Sequence, residues 1–154
     1  MAERRSGLHG NRERSCEAAR AREASAVSIL YDADCGLCRW TLAKVLAWDR
    51  RRVLRPVALQ DPEARRLLGE MTEEEKMASW HLAGPDGGVT SGGAAFVPLG
   101  RLLPGARPFS ALAGRFPRAA DRAYRLVADH RSGLGRLLTR GAAARARRRI
   151  EERA

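Results

Sequence analysis

The fold is decided by residues 26–38, which read AVSILYDADCGLC. The first six of them are mostly apolar and rich in strand formers, as is typical of a strand that enters a core. From Leu37 to Trp48 the apolar residues recur at helical spacing, which predicts a helix that begins at the cysteine pair. The stretch therefore predicts a strand, a short acidic turn and a helix, with two cysteines at the junction.

Cys35 and Cys38 have the spacing of a redox-active dithiol. A thiol just before a helix lies beside unpaired amides and the positive end of the helix dipole, which stabilise its thiolate. Cys35 is therefore the expected nucleophile, and Cys38, one turn further on, is the expected resolving thiol. The alternative is that both are small buried residues at a helix start. Zinc would need two further ligands, and the sequence contains no second cysteine pair, so we predict no metal site. Thiol-disulfide exchange by the two cysteines requires no bound cofactor, and none is predicted.

Asp32 and Asp34 precede the cysteines and leave two interpretations open. A carboxylate beside a thiol raises its pKa unless it is oriented to accept the proton, so either residue could be a proton relay. Alternatively, Asp34 caps the helix and Asp32 only ends the strand. An apolar strand followed by Asp-x-Asp also resembles the start of haloacid-dehalogenase phosphotransferases. That chemistry needs a downstream Lys and a paired acidic magnesium site, and Lys44 and Lys76 are the only lysines.

The rest of the chain alternates predicted strands and helices. Pro56 interrupts the second strand, which places that strand at an edge of the sheet. The predicted elements are a strand over 52–59, a helix opened by Asp61-Pro62-Glu63 and closed by Gly69, a capped turn over 71–76, a hairpin of 77–82 and 89–91, and helices over 94–103 and 117–130. This order predicts an α/β fold with a small mixed sheet. His81 is expected to be an exposed strand residue, and Trp40, Trp48 and Trp80 are expected in the core or at its rim.

The net charge of +11 is concentrated towards the ends of the chain. Residues 1–25 hold six Arg against four Glu, and residues 136–154 hold seven Arg against two Glu. We predict a disordered leader over 1–25, which contains Cys16, one domain over 26–135 and a basic helical tail over 136–154. No base-reading motif or aromatic array accompanies the charge, so we predict no specific nucleic-acid partner.

The N-terminal residues have no apolar segment of a secretory signal. No run approaches the about 18 apolar residues that cross a bilayer, so no transmembrane span is predicted. We therefore expect a cytoplasmic protein. In a reducing compartment a close cysteine pair indicates redox or metal chemistry rather than a structural disulfide.

The segment Tyr31 to Cys38 resembles the DCC family of predicted thiol-disulfide oxidoreductases, named for an Asp-Cys-Cys signature. The resemblance extends from about Val27 to Leu138 and includes Asp86-Gly87, residues 91–95 (SGGAA) and a late Tyr124, His130-Arg131, Gly135 segment. It implies a thioredoxin-like fold with extra C-terminal helices. It also implies protein-disulfide reductase activity with Cys35 and Cys38 as the redox pair, acting on a protein disulfide or a low-molecular-weight thiol.

Two features differ from thioredoxin and glutaredoxin. Met77-Ala78-Ser79 stands where those enzymes place a cis-proline. The acidic Asp-x-Asp segment before the cysteines stands where thioredoxin typically has aromatic residues. Gly92-Gly93 resembles the glutaredoxin turn that approaches glutathione, which makes these glycines a candidate contact for a substrate or thiol ligand. A second class of function stays open: a non-catalytic interaction module whose basic tail binds an acidic partner, nucleic acid or an anionic membrane.

Overall fold

The computed structural model describes residues 26–136 and 138–154. The predicted leader and Cys16 lie outside the described residues. Within them, the strands are β1 (Val27–Tyr31), β2 (Leu54–Ala58), β3 (His81–Ala83) and β4 (Val89–Ser91). The helices are α1 (Gly36–Trp48), α2 (Pro62–Leu68), α3 (Glu73–Ala78), a 3₁₀ helix (Gly92–Ala95), α4 (Phe96–Leu102), α5 (Arg107–Arg115), α6 (Pro117–Asp129), α7 (Arg131–Arg136) and α8 (Arg140–Glu151).

The described strands form one mixed sheet in the order β2-β1-β3-β4. β1 pairs in parallel with β2 and antiparallel with β3, and β3 pairs antiparallel with β4. A βαβ unit followed by a hairpin, with helices around the sheet, is the thioredoxin-like α/β architecture. The predicted fold class is confirmed.

The central strand β1 contributes to the core on both faces of the sheet, because alternate side chains of a strand point to opposite sides. Ile29 lies in one apolar cluster, with Leu42 and Leu46 of α1. Leu30 lies in a second cluster, with Val57. The α1 stripe is thus core, as predicted. β2 is shorter than the predicted 52–59 but is an edge strand, as its proline indicates.

The third helix and the third strand differ from the prediction. The capping box at Thr72 is present, since Glu75 N donates to Thr72 Oγ1 at 3.2 Å and Thr72 N donates to Glu75 Oε2 at 2.8 Å. The helix that follows runs to Ala78, and the strand begins only at His81. The predicted hairpin with 89–91 is confirmed, but its first strand is wrong over 77–80, where Met77 packs on the second cluster as a helical residue.

His81 is buried rather than exposed, so that expectation is also wrong. Its Nε2 donates to the carbonyl of Lys76 at 2.9 Å, and its Nδ1 is 2.7 Å from Ser91 Oγ. Burial lowers the pKa of His81 below its usual range, which keeps the ring neutral. The ring joins α3 to β4 and takes no part in the dithiol site.

The helix α5 is absent from the prediction, which ends the preceding helix at Pro104, Gly105 and Pro108. Pro108 instead lies at the start of α5, where its missing N–H has no helical partner to lose. Ser110 anchors this helix, since its hydroxyl donates to the carbonyl of Val97 at 2.7 Å. Pro108 therefore lies in the first turn of a helix, whereas the prediction took it as part of a helix end.

The C-terminal helix α8 packs along α1. Helical structure in this part of the chain is expected from the sequence, but the packing is not. Ala146 and Ile150 are buried, and Ile150 belongs to the first core cluster. The domain boundary at residue 135 stays a prediction.

A buried ion pair follows α8. Arg153 binds the carboxylate of Asp49, and their side chains are 8% and 0% exposed. Asp49 also accepts from Leu54 N at 2.9 Å and Val53 N at 3.3 Å, and Arg153 donates to the carbonyl of Leu54 at 3.3 Å. The penultimate residue of the chain therefore holds the connection between α1 and β2.

Candidate active site

The two cysteines lie where β1 ends and α1 begins. Cys35 is the N-cap residue of α1, with φ −82° and ψ 112°, and its Sγ accepts a hydrogen bond from Cys38 N at 3.2 Å. The sulfur thus occupies the place of a capping oxygen, at the positive end of the helix. An N–H group aimed at sulfur is a stabilising partner for a thiolate.

Cys38 is half-buried in the first turn of α1, and both cysteines are free thiols. Burial raises the pKa of Cys38 to about 12, with further contributions from its hydrogen bond to Cys35 and from the charges of Cys35 and Asp32. Arg131 opposes this shift. These surroundings favour the neutral thiol of Cys38 over its thiolate at neutral pH.

The acidic turn is held by a residue that the sequence analysis missed, Gln60. Its Nε2 donates to Asp32 Oδ1 at 2.9 Å and to Asp34 Oδ2 at 3.3 Å, while its Oε1 accepts from Ala33 N at 3.2 Å. Gln60 follows β2, the parallel neighbour of β1, and the ends of parallel strands meet at one sheet edge. That register was the signal that could have identified it.

The two aspartates differ in exposure and in hydrogen bonding. Asp34 is exposed and does not cap α1, because Cys35 does. The capping interpretation is therefore wrong. Asp34 N instead donates to Asp32 Oδ1 at 3.0 Å, which closes the turn. Asp32 is half-buried and shares a cavity wall with Cys38.

Gly92 and Gly93 are buried against α6, and neither lines the cavity that contains Cys38. A Cβ on Gly93 would lie 2.5 Å from Asp121 Cα, and a Cβ on Gly92 would lie 3.2 Å from a ring carbon of Tyr124. Gly92 also has φ +55°, which favours glycine. These glycines permit α6 to approach the sheet, and a ligand would have to displace α6 to reach Gly93.

The helices α6 and α7 bring further residues to the dithiol. Tyr124 Oη accepts from Trp80 N at 3.3 Å, and burial raises the pKa of this tyrosine. Arg131 donates to the carbonyl of Met77 at 3.3 Å. Gly135 lies against the first turn of α1, where a Cβ would be 3.6 Å from Leu37 N. The family resemblance drew attention to this late segment, but its position beside the cysteines needed the structure.

A cavity of about 340 Å³ opens beside Cys38, between α1, the sheet and α6. One wall is aromatic: the ring centroids of Trp80 and Phe96 are 5.6 Å apart, and those of Phe96 and Tyr124 are 6.2 Å apart. Trp80 is thus a rim residue of the site. Trp48 is 45% exposed and lies elsewhere, with its Nε1 donating to the carbonyl of Pro104 at 2.9 Å.

Among residues 26–136 and 138–154, no group of three or more His, Cys, Asp or Glu side chains is arranged to hold a metal ion. In the same part of the chain, no helix combines the length and apolar character that crossing a bilayer requires.

A free dithiol at the first helix of a thioredoxin-like sheet defines the class of thiol-disulfide oxidoreductases. The model of the DCC1-like thiol-disulfide oxidoreductase family matches residues 29–137, which is more than half of the chain. The chain therefore belongs to the DCC1-like thiol-disulfide oxidoreductase family. This confirms the resemblance seen in the sequence. No match was found among curated proteins or among solved structures.

Proposed function

We propose that this protein reduces disulfides, with Cys35 as the attacking thiolate and Cys38 as the resolving thiol. Cys35 forms a mixed disulfide with one sulfur of the substrate and releases the other as a thiolate. Cys38 then attacks the Cys35 sulfur and releases the second thiol. Two electrons pass to the substrate, and a Cys35–Cys38 disulfide remains. No bound cofactor is needed for this exchange.

The observation that supports these roles is the asymmetry of the two sulfurs. Cys35 Sγ accepts the amide hydrogen of Cys38 at the start of the helix. Cys38 is kept protonated by a pKa of about 12. A thiol in that state does not compete for the first attack, since the thiolate is the nucleophile.

The second step needs an acceptor for the Cys38 proton, and we assign that role to Asp32. Its carboxylate is near enough to raise the pKa of Cys38, and both residues line the same cavity. Gln60 holds Asp32 by a hydrogen bond of 2.9 Å. Asp34, which is exposed, acts with Gln60 to position the turn. Asp32 is thus a proton relay and Asp34 a positioning residue.

The proposed substrates are disulfide-containing proteins or low-molecular-weight disulfides, in the cytoplasm. The test uses the full chain carrying Cys16→Ser, so that only the pair can react. With a model disulfide, Cys38→Ser should accumulate a mixed disulfide at Cys35, and Cys35→Ser should accumulate none. Mass spectrometry of the acid-quenched protein measures both. An equally active Cys35→Ser protein would refute the assignment.

The interaction module remains the second candidate, because α8 presents arginines to solvent. Ala146 and Ile150 face the core, whereas Arg145, Arg148 and Arg149 are exposed. Such a surface attracts anionic partners, and salt weakens the attraction. Salt-sensitive binding of an anionic partner that survives loss of both cysteines would support this function. Loss of that binding on removal of the dithiol would count against it.

A further inference from the structure

The cavity beside Cys38 has a composition unlike that of a catalytic cleft built for polar peptides. Most of the residues that line it are aliphatic or aromatic, among them Leu42, Trp80, Phe96, Ala123, Val127 and Ala128. The polar groups include the dithiol residue Cys38 and the proposed relay Asp32.

We propose that this cavity is a specificity pocket for small disulfides that carry an alkyl or aryl group. The inference rests on the proposed function, since it names the substrate class of the same dithiol. The apolar group of the substrate enters the pocket while its disulfide lies at Cys35 and Cys38.

The volume favours a small molecule as the occupant. About 340 Å³ lies at the lower end of the range for small-molecule sites, roughly 300–1,000 Å³. Side chains in ordinary cores leave few voids larger than a water molecule. The cavity is therefore far larger than a packing defect, yet too small for a helix or strand of a partner chain.

The cavity also has an entrance. Val127 is 50% exposed although it is apolar and lines the cavity, and Thr41 and Ala123 are exposed as well. These residues lie on α1 and α6, so the opening lies between the two helices. A ligand can enter there and reach the wall that contains Cys38.

The chemistry of the reaction fits this placement. The Cys35 thiolate attacks a sulfur of R–S–S–R′, the S–S bond breaks, and R′S⁻ leaves. Cys38 gives its proton to Asp32, attacks the Cys35 sulfur and releases RS⁻, which is protonated as RSH. The reduced dithiol supplies both electrons.

Binding is tested without redox chemistry, using N-phenyl-1-naphthylamine, an uncharged fluorescent apolar probe. The full chain with Cys16→Ser should bind it, and hexanol should displace it. Ala128→Phe, which fills the pocket, should weaken binding by about tenfold or more. Ala119→Phe is the matched control, because Ala119 is exposed on the same helix and outside the pocket. It should bind the probe like the parent.

Selectivity is tested in a single turnover of the reduced protein. Hexyl 2-hydroxyethyl disulfide should oxidise it about tenfold or more faster than methyl 2-hydroxyethyl disulfide, because each buried methylene adds transfer free energy. Ala128→Phe should bring the ratio of the two rates near one, and Ala119→Phe should keep it. If thermal unfolding shows that Ala128→Phe does not fold, Ala123→Phe replaces it.

The outcomes separate the two proposals. Equal rates for the two disulfides together with no probe binding would overturn the pocket and leave the reductase intact. The parent protein could instead bind the probe but react with neither disulfide. If Ala128→Phe then loses the probe, the apolar site is supported and the reductase is refuted. Probe binding that is unchanged in Ala128→Phe would also overturn the assignment of this cavity.

Discussion

At the scale of single residues, Cys38 is the thiol whose chemistry the surroundings control most strongly. Burial is the largest cause of its raised pKa, and the contribution of Cys35 comes second. The Asp32 charge acts in the same direction, and Arg131 acts against it. The surroundings of Cys38 accordingly favour its neutral thiol.

Alkylation by iodoacetamide tests the state of Cys38. In the double variant Cys16→Ser, Cys35→Ser near neutral pH, Cys38 should react about tenfold or more slowly than in the same chain in urea, because burial remains when Cys35 is gone. The rate should rise with pH, because the thiolate fraction grows as the pH approaches the raised pKa. Equal rates in the folded and unfolded protein would contradict the shift.

The sequence predicts the cysteine pair but not all of its neighbours. The spacing of Cys35 and Cys38 and their place after a strand were sufficient to predict the pair. The spacing of the cysteines does not reveal Gln60 or Arg131, because the contacts of these residues join segments distant in the chain. Asp34 was open to two interpretations, since a carboxylate before a helix often caps it. Here the sulfur of Cys35 takes that position.

At the scale of elements, the close approach of α6 to the 3₁₀ helix depends on Gly93. The nearest atoms to a Cβ there are backbone atoms of Asp121, at 2.5 and 2.7 Å. Backbone cannot rotate aside as a side chain can. A larger residue at this position would push α6 away, and α6 carries one wall of the cavity beside Cys38.

Gly93→Ala should therefore destabilise the protein, by about 1–3 kcal/mol. Gly133→Ala is the control: it lies in α7, and a Cβ there meets nothing within 4 Å. That substitution should be neutral or stabilise by up to about 1 kcal/mol, because alanine has the higher helix propensity. Urea unfolding measures both. A Gly93→Ala protein as stable as the parent would show that α6 adjusts freely.

The errors in the predicted elements have local causes. Residues 77–78 belong to α3 and not to the strand expected over 77–82. The capping box at Thr72 starts a helix whose continuation packs Met77 against the second cluster. The helix α5 was missed because proline ends helices as well as starting them. Both helices depend on how they pack against the rest of the domain. The periodicity of a short stretch of sequence carries no information about that packing.

At the scale of the whole molecule, the C-terminal residues pack against α1 and bind the residue that follows it. α1 carries the dithiol at its first turn, and its last turn leads into Asp49, which Arg153 neutralises. α8 lies along the same helix. The C-terminal residues thereby pack against the helix that carries Cys35 and Cys38 at its start.

Arg153→Ala should unfold the protein more easily, with a loss of about 3–5 kcal/mol, because it leaves the buried Asp49 carboxylate without its partner. Arg147→Ala is the matched control. Arg147 is 73% exposed and pairs with Glu151 at 2.8 Å on the surface of the same helix. Its loss should change stability by no more than about 1 kcal/mol. Equal effects of the two variants in urea unfolding would contradict the proposed role of the C-terminus.

The central claim is that Cys35 and Cys38 form a reversible redox couple. The most direct measurement is a redox titration of the Cys16→Ser protein across a glutathione potential series, with free thiols counted at each potential. The account predicts one two-electron step in this protein and none when Cys35→Ser is added, and the midpoint shows whether the couple reduces or oxidises its partners. Two thiols that never pair at any potential would contradict it.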